Sequence, residues 1–246
     1  MDAHVRNGTP PIQGAPANPP AFNVPRIVLA LIAALVFVHL WRMQLLSASQ
    51  DTLVILDYAF IAGCYRDLAD FCQVRPDGAD YWSPVTHAFL HGDWTHLAAN
   101  CAWLLAFGTP VARRLHTVRF LVFCLLGALA GAGLFYVVNP TIAAPMIGAS
   151  GVVSAVMGGA ARFALGRFGR LGNREVALAP RLTVLQSLSD RTVLFFVGIF
   201  FATNLLLGSG LGSAFGGGPI AWEAHLGGFA LGFLGFAFFD PRPPRR

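Results

Sequence analysis

Six apolar stretches divide this chain, and they constrain its fold more than any other feature. They run from Ile27 to Trp41 and near 94–111, 119–138, 147–165, 192–208 and 221–239. Each approaches the ~20 residues a helix needs to cross a hydrocarbon core of ~30 Å. With 55% hydrophobic and 12% charged residues, the chain is too apolar for an ordinary soluble domain. The expected fold class is an all-α membrane protein, a six-transmembrane-helix bundle over residues 26–240.

The charges suggest how such a bundle is oriented. All 17 basic residues are arginines, against 12 acids, for a net charge of +5. They gather in alternate connections: Arg113, Arg114 and Arg119 after the second apolar stretch, Arg162 to Arg191 after the fourth, and Arg242, Arg245 and Arg246 after the sixth. The connections 139–146 and 209–220 carry no charge. By the positive-inside rule both termini are cytoplasmic. No basic patch interleaved with aromatics suggests a nucleic-acid partner. Six aspartates between Asp51 and Asp80 face only Arg66 and Arg75, which places the long first loop outside, with short amphipathic helices at the interface. Cys64 and Cys72 share that loop, and the spacing leaves open whether they pair.

Residues 1–25 hold six prolines and read as a disordered cytoplasmic tail. Residues 241–246 form a second cytoplasmic tail. The stretch from Ile27 to Trp41 is read as a retained helix, because no short basic segment precedes it as in a signal peptide. His39, near its end, reads as a packing or interfacial residue.

Polar groups inside membrane helices are costly, so each one is a functional candidate. The second helix opens with His87, His91, His96 and Asn100, the fourth with Ser150 inside Gly148-Ala149-Ser150-Gly151, and the sixth with His225. Depth follows from counting to Arg113, Arg162 and Asp240, which mark the cytoplasmic ends. At ~1.5 Å per residue, Asn100, Ser150 and His225 lie roughly 20, 18 and 22 Å from those ends. His96 shares the face of Asn100 at i, i+4. Four polar side chains from three helices at one depth imply a hydrated cavity open to the outer side.

Serine with histidine supplies a nucleophile and its base. No carboxylate lies at that depth, since Glu223 sits at the outer interface, so a dyad is expected. Asn100, His96 and the Ser150 backbone N–H are candidate donors to a tetrahedral oxyanion. An HExxH zinc site is ruled out by Ala88 after His87 and by Gly92 after His91, although three histidines leave another metal site open. An aspartyl mechanism needs two mid-membrane aspartates, and the apolar stretches contain none. Small residues at Gly151, Ala155 and Gly158 are expected to face Gly227, Gly228, Gly232 and Gly235, letting two backbones approach.

The set HxxxH(x4)HxxxN, then GASG, then AHxxG resembles the rhomboid intramembrane serine proteases over roughly residues 27–240. The resemblance implies a six-helix rhomboid-like bundle with Ser150 as nucleophile, His225 as base, and His96 and Asn100 as oxyanion donors. It implies His87 and His91 as structural histidines bracing the outer end of the second helix. It also implies transmembrane protein substrates, a lipid bilayer as the medium, and no metal or cofactor. Three positions depart from common family patterns. Ser83 follows Trp82 where many members have Arg, Ala112 stands where a glutamate is frequent, and Ser154 replaces an aromatic that supports the histidine ring. The alternatives are a catalytically silent relative that binds membrane proteins and, less in keeping with these residues, a small transporter. A bacterial inner membrane is the expected location. Loop 208–219 reads as a lid over the cavity, and Phe195, Phe196, Phe200 and Phe201 as a lateral gate or as lipid-facing packing.

Overall fold

The computed structural model describes residues 24–166, 174–208 and 221–242. The two terminal tails and the lid assignment fall almost wholly outside them. Among the described residues the regular structure is helical, apart from one isolated bridge between Phe60 and Met146. Three helical stretches are long and apolar enough to cross a membrane: Arg26–Leu45, Trp94–Val138 and Trp222–Phe239. Two shorter apolar helices, Ser150–Ala161 and Arg191–Leu206, accompany them.

Helix α1 (Arg26–Leu45) starts directly after Pro25, whose fixed φ suits a helix entry. Its buried residues Val28, Leu35, His39 and Arg42 fall on one stripe, while Phe37 is 69% exposed on the other side. A helix apolar all round with one buried stripe suits a place at the edge of a bundle in lipid.

The first connection is built of short elements. They are α2 (Ala48–Tyr58), 3-10 turns at Ala62–Arg66 and Asp70–Val74, α3 (Ala79–Thr86) and a further turn at His87–Phe89. Ser47 and Gln50 form a reciprocal capping box that starts α2. Cys64 and Cys72 are joined by a disulfide.

Trp94–Val138 is not one rod. Helix α4 (Trp94–Trp103) passes through a π turn at Leu104–Gly108 into α5 (Thr109–Val138). Pro110, near the start of α5, has no N–H to give to the turn before it. His116 then leaves helical geometry at φ 61°, ψ 171°. Straight, 45 residues would span about 68 Å at 1.5 Å each. Instead Arg114 pairs with Asp240 at the C-terminal end of the last helix, while Asn139 bonds Glu223 at its N-terminal end. The chain therefore folds back at His116 and makes two antiparallel arms.

Helix α6 (Ser150–Ala161) is the centre of the molecule, with nine of its residues buried. It is shorter than its apolar stretch predicts, because residues 147–149 are extended or turn and Ala161 is followed by a turn. The short α7 (Val184–Ser189) leads into α8 (Arg191–Gly208), and α9 (Trp222–Phe239) closes the fold. Helices α5, α6 and α9 meet through glycines. A Cβ on Gly127 would lie 2.7 Å from Ala155 Cβ, and one on Gly131 would lie 2.9 Å from the Ala224 carbonyl. A Cβ on Gly228 would strike the Gly151 carbonyl, and one on Gly232 the Ala155 carbonyl. Two glycines depart from the expected face: Gly227 meets Ala130 and Leu134 of α5, and Gly235 has only the Leu231 side chain near it.

Candidate active site

Ser150 is the first residue of α6. By helix geometry its own N–H and those of Gly151 and Val152 have no intrahelical acceptor, and the helix dipole adds partial positive charge there. The segment leading to it is strapped on both sides. Gly63 N–H donates to Ile142 O at 2.8 Å, Phe60 and Met146 exchange two backbone bonds, and Gly148 N–H donates to His87 O at 3.0 Å. Ala149 N–H donates to His91 Nε2 at 3.5 Å.

His87 and His91 lie ahead of α4 rather than on it. Asp93 accepts from His96 N–H and caps α4 there, so the helix begins at Trp94. The two histidines touch the strap before Ser150, His87 through its carbonyl and His91 through its ring. Both are fully buried. Burial holds the His87 imidazole neutral, its pKa pushed down to about 3. Burial, with smaller contributions from His96 and His39, lowers His91 to about 4.

His96 and Asn100 sit one turn apart on α4. Gly148 has φ +122°, and a Cβ there would lie 2.7 Å from His96 Nε2 and 3.9 Å from Asn100 Nδ2. Glycine is thus required twice, for its backbone angle and for the approach of the imidazole. Asn100 is buried and gives one amide N–H to His96 O at 3.1 Å, which leaves its second N–H to donate.

His225 lies three residues before Gly228 on α9, on the face that meets Gly151. It stands close enough to His96 for the two rings to interact electrostatically. Its Nδ1 is 2.6 Å from Asn204 Oδ1 on α8. No hydrogen bond joins Ser150 to His225 among the described residues. Catalytic hydrogen bonds are often long before substrate binds. No cluster of three or more His, Cys, Asp or Glu among the described residues is arranged to hold a metal ion.

The Rhomboid domain model matches residues 78–241. The chain belongs to the rhomboid family. It is 23% identical over 233 residues to Rhomboid-related protein 2 of Mus musculus, covering 93% of this chain and 68% of that protein. It is 31% identical over 180 residues to the rhomboid protease GlpG of Yersinia enterocolitica, covering 72% of this chain and 52% of that protein. Family and apolar helices together make this rhomboid an integral membrane protein.

The three departures from the family pattern have local answers in this rhomboid. Ser83 is buried with its hydroxyl unpartnered, and Arg75 anchors the first connection instead. Its guanidinium donates to Leu56 O at 2.8 Å, to Ala59 O at 3.2 Å and to Asp80 Oδ1 at 2.9 Å. Beside the buried Ala112, Arg114 holds Asp240 with two bonds of 2.9 Å. Ser154 is buried, and the contact to the His225 ring comes from Asn204. Sequence reasoning missed both Arg75 and Asn204. An amide inside the apolar stretch 192–208 was the available signal for the second.

Proposed function

We propose that this rhomboid is an intramembrane serine endopeptidase that cleaves transmembrane proteins near the outer membrane face. The observation that carries the reading is the meeting of three helices at one point. The strap before Ser150 lies against His96 and Asn100 of α4, while Gly151 of α6 lies against Gly228 of α9, one turn from His225.

In this mechanism Ser150 Oγ attacks the substrate carbonyl carbon and His225 Nε2 takes the hydroxyl proton. The negative charge on the carbonyl oxygen is met by the Ser150 N–H, Asn100 Nδ2 and His96. When the C–N bond breaks, His225 returns the proton to the leaving amine, and an acyl ester remains on Ser150. Water, deprotonated by His225, then releases the acid. His87 and His91 keep the strap in register, and Gly151, Gly228 and Gly232 set the distance between α6 and α9.

The reading includes six spans: α1, the two arms on either side of His116, α6, α8 and α9. Residues 26–240 form the protease domain between cytoplasmic tails at 1–25 and 241–246. The uncharged connections and acidic first loop face outward, and the active site opens on that side of a bacterial inner membrane.

Intact-mass detection of a fluorophosphonate adduct on purified protein in detergent tests it. Wild type should gain one adduct, and Ser150→Ala and His225→Ala none. A folded wild type that stays unlabelled would overturn the reading in favour of a silent, binding-only relative or a transporter whose flux survives Ser150→Ala.

A further inference from the structure

We propose that Asn204 is a positioning residue for His225, a neutral third member that holds the imidazole with its proton on Nδ1 and its lone pair on Nε2. The inference rests on the serine-protease reading above.

The geometry assigns the amide as well as the contact. Asn204 Nδ2 donates to Phe200 O at 2.7 Å, one turn back on α8. Only the NH2 group can face a carbonyl at that distance, so the amide oxygen is the atom turned to His225 Nδ1, 2.6 Å away. An amide oxygen only accepts, so the imidazole proton is on Nδ1, an assignment taken from the hydrogen-bond network. The remaining nitrogen, Nε2, is then the acceptor a serine hydroxyl needs.

The register that makes this contact comes from the aromatic packing below it. Phe200 stacks on Phe229 with ring centroids 4.4 Å apart, and Phe201 meets the same ring edge-on at 6.0 Å. Four residues on along α8 and four residues back along α9 are Asn204 and His225, the next rung of an antiparallel pair. Thr203 shows the alternative use of a polar group on α8, since its hydroxyl is satisfied by Ile199 O and Phe200 O of its own helix. Asn204 instead reaches across to α9, while its neighbours Phe201 and Leu205 are exposed.

A neutral partner suits this place. A carboxylate would require a second buried charge beside His225, whereas an amide dipole steadies the imidazolium formed during attack without one. The titratable groups nearby are His96 on α4 and Glu223 on α9, and the Glu223 carboxylate accepts from Asn139 Nδ2 at 2.7 Å. The competing role for Asn204 is an interhelical bond that only joins α8 to α9.

The test is the rate of labelling by a fluorophosphonate, resolved into KI and kinact across pH, for full-length wild type, Asn204→Leu and Asn204→Asp. Thermal melts report folding, and Ser150→Ala serves as blank. Positioning predicts that Asn204→Leu lowers kinact on the order of fivefold with KI unchanged, as loss of one net hydrogen bond of ~1 kcal/mol implies. It predicts that the acid limb of the kinact profile moves to lower pH in Asn204→Leu. In Asn204→Asp, which keeps an acceptor, kinact recovers and the limb moves to higher pH. Wild-type kinact in Asn204→Leu overturns the proposal, and so do two equally slow variants with an unmoved limb. Should Asn204→Leu not fold, the limb of Asn204→Asp decides alone: a shift upward supports the role and no shift overturns it. An unlabelled wild type overturns the protease reading and the role together, whereas a labelled wild type beside an unaffected Asn204→Leu overturns only the role.

Discussion

The two ends of the α6–α9 contact solve the problem of buried polarity in opposite ways. At the end near Ser150 the side chains of the proposed site are a hydroxyl, two imidazoles and two amides, packed against glycines, with the buried Glu223 carboxylate set aside on Asn139. At the other end the groups are charged and fully engaged. Arg114 grips Asp240 through two bonds, donates to Ala179 O at 2.5 Å and lies over the Phe163 ring at 4.5 Å. Arg181 approaches the same carboxylate at 3.6 Å, and Arg162 donates to the carbonyls of Leu182 and Phe233. Both Arg114 and Asp240 side chains are completely enclosed. A group that must take up and return a proton needs a free lone pair; a group that only fixes helices together can have every valence used.

The largest effect should follow from breaking the charged end. Arg114→Met leaves Asp240 buried with the more distant Arg181 as its ion-pair partner among the described residues, and removing one partner of a buried ion pair costs ~3–5 kcal/mol. A large fall in melting temperature is expected, with fluorophosphonate labelling of the remaining folded protein unchanged. Adding Asp240→Leu should recover much of the loss, because two apolar groups leave no unpaired charge. A double variant no more stable than the single one would show that the pair is not what holds this end.

The end proposed to react should lose activity before stability. In Gly228→Val the new side chain meets the Gly151 carbonyl, so α6 and α9 must move apart. A displacement near 1 Å is enough for a rate loss of ~100-fold, with overpacking costing ~1–3 kcal/mol. Full labelling at unchanged stability would sink the idea that these glycines set the Ser150–His225 distance. Gly148→Ala acts more locally. Its φ of +122° and the 2.7 Å approach to His96 Nε2 combine backbone strain of ~1–3 kcal/mol with displacement of one proposed oxyanion donor. Labelling should fall by less than in Gly228→Val, and a further His96→Ala should add little to it.

Much of this arrangement is legible in the sequence because lipid leaves few choices. The apolar stretches mark the helices, and counting to the flanking charges puts Asn100, Ser150 and His225 at one level, where the fold brings their helices together. What the sequence hides are pairings between distant segments. The turn at His116 uses a positive φ at a residue that is not glycine, so no composition signal marks it. Helical periodicity puts Gly227 and Gly228 side by side, but only the packing of three helices sends the first to α5 and the second to α6. Arg75 reads as one of two cations in an acidic loop, yet its carbonyl partners lie 16 and 19 residues away. Asn204 has an informative neighbour only once α8 and α9 are set in register by Phe200 and Phe229.

The smallest effect sharpens the contrast most. Both ring nitrogens of His87 are buried without partners, and its link to the site runs through its backbone carbonyl. His87→Leu keeps that carbonyl and removes two unsatisfied atoms, so stability at neutral pH should rise, by no more than ~1 kcal/mol, since replacing unpaired polar atoms by apolar ones removes a desolvation cost. The sign of the pH dependence follows from the lowered pKa. The unfolded chain takes up a proton at its ordinary value of 6.5, whereas folded His87 does so only at about 3. Between those values the unfolded state binds more protons, and stability falls with decreasing pH by up to ~1.4 kcal/mol per unit for each such histidine. His91, lowered to about 4, adds to the same window. His87→Leu should therefore flatten the acid side of the melting-temperature profile. An acid slope identical in wild type and His87→Leu would remove His87 from the account.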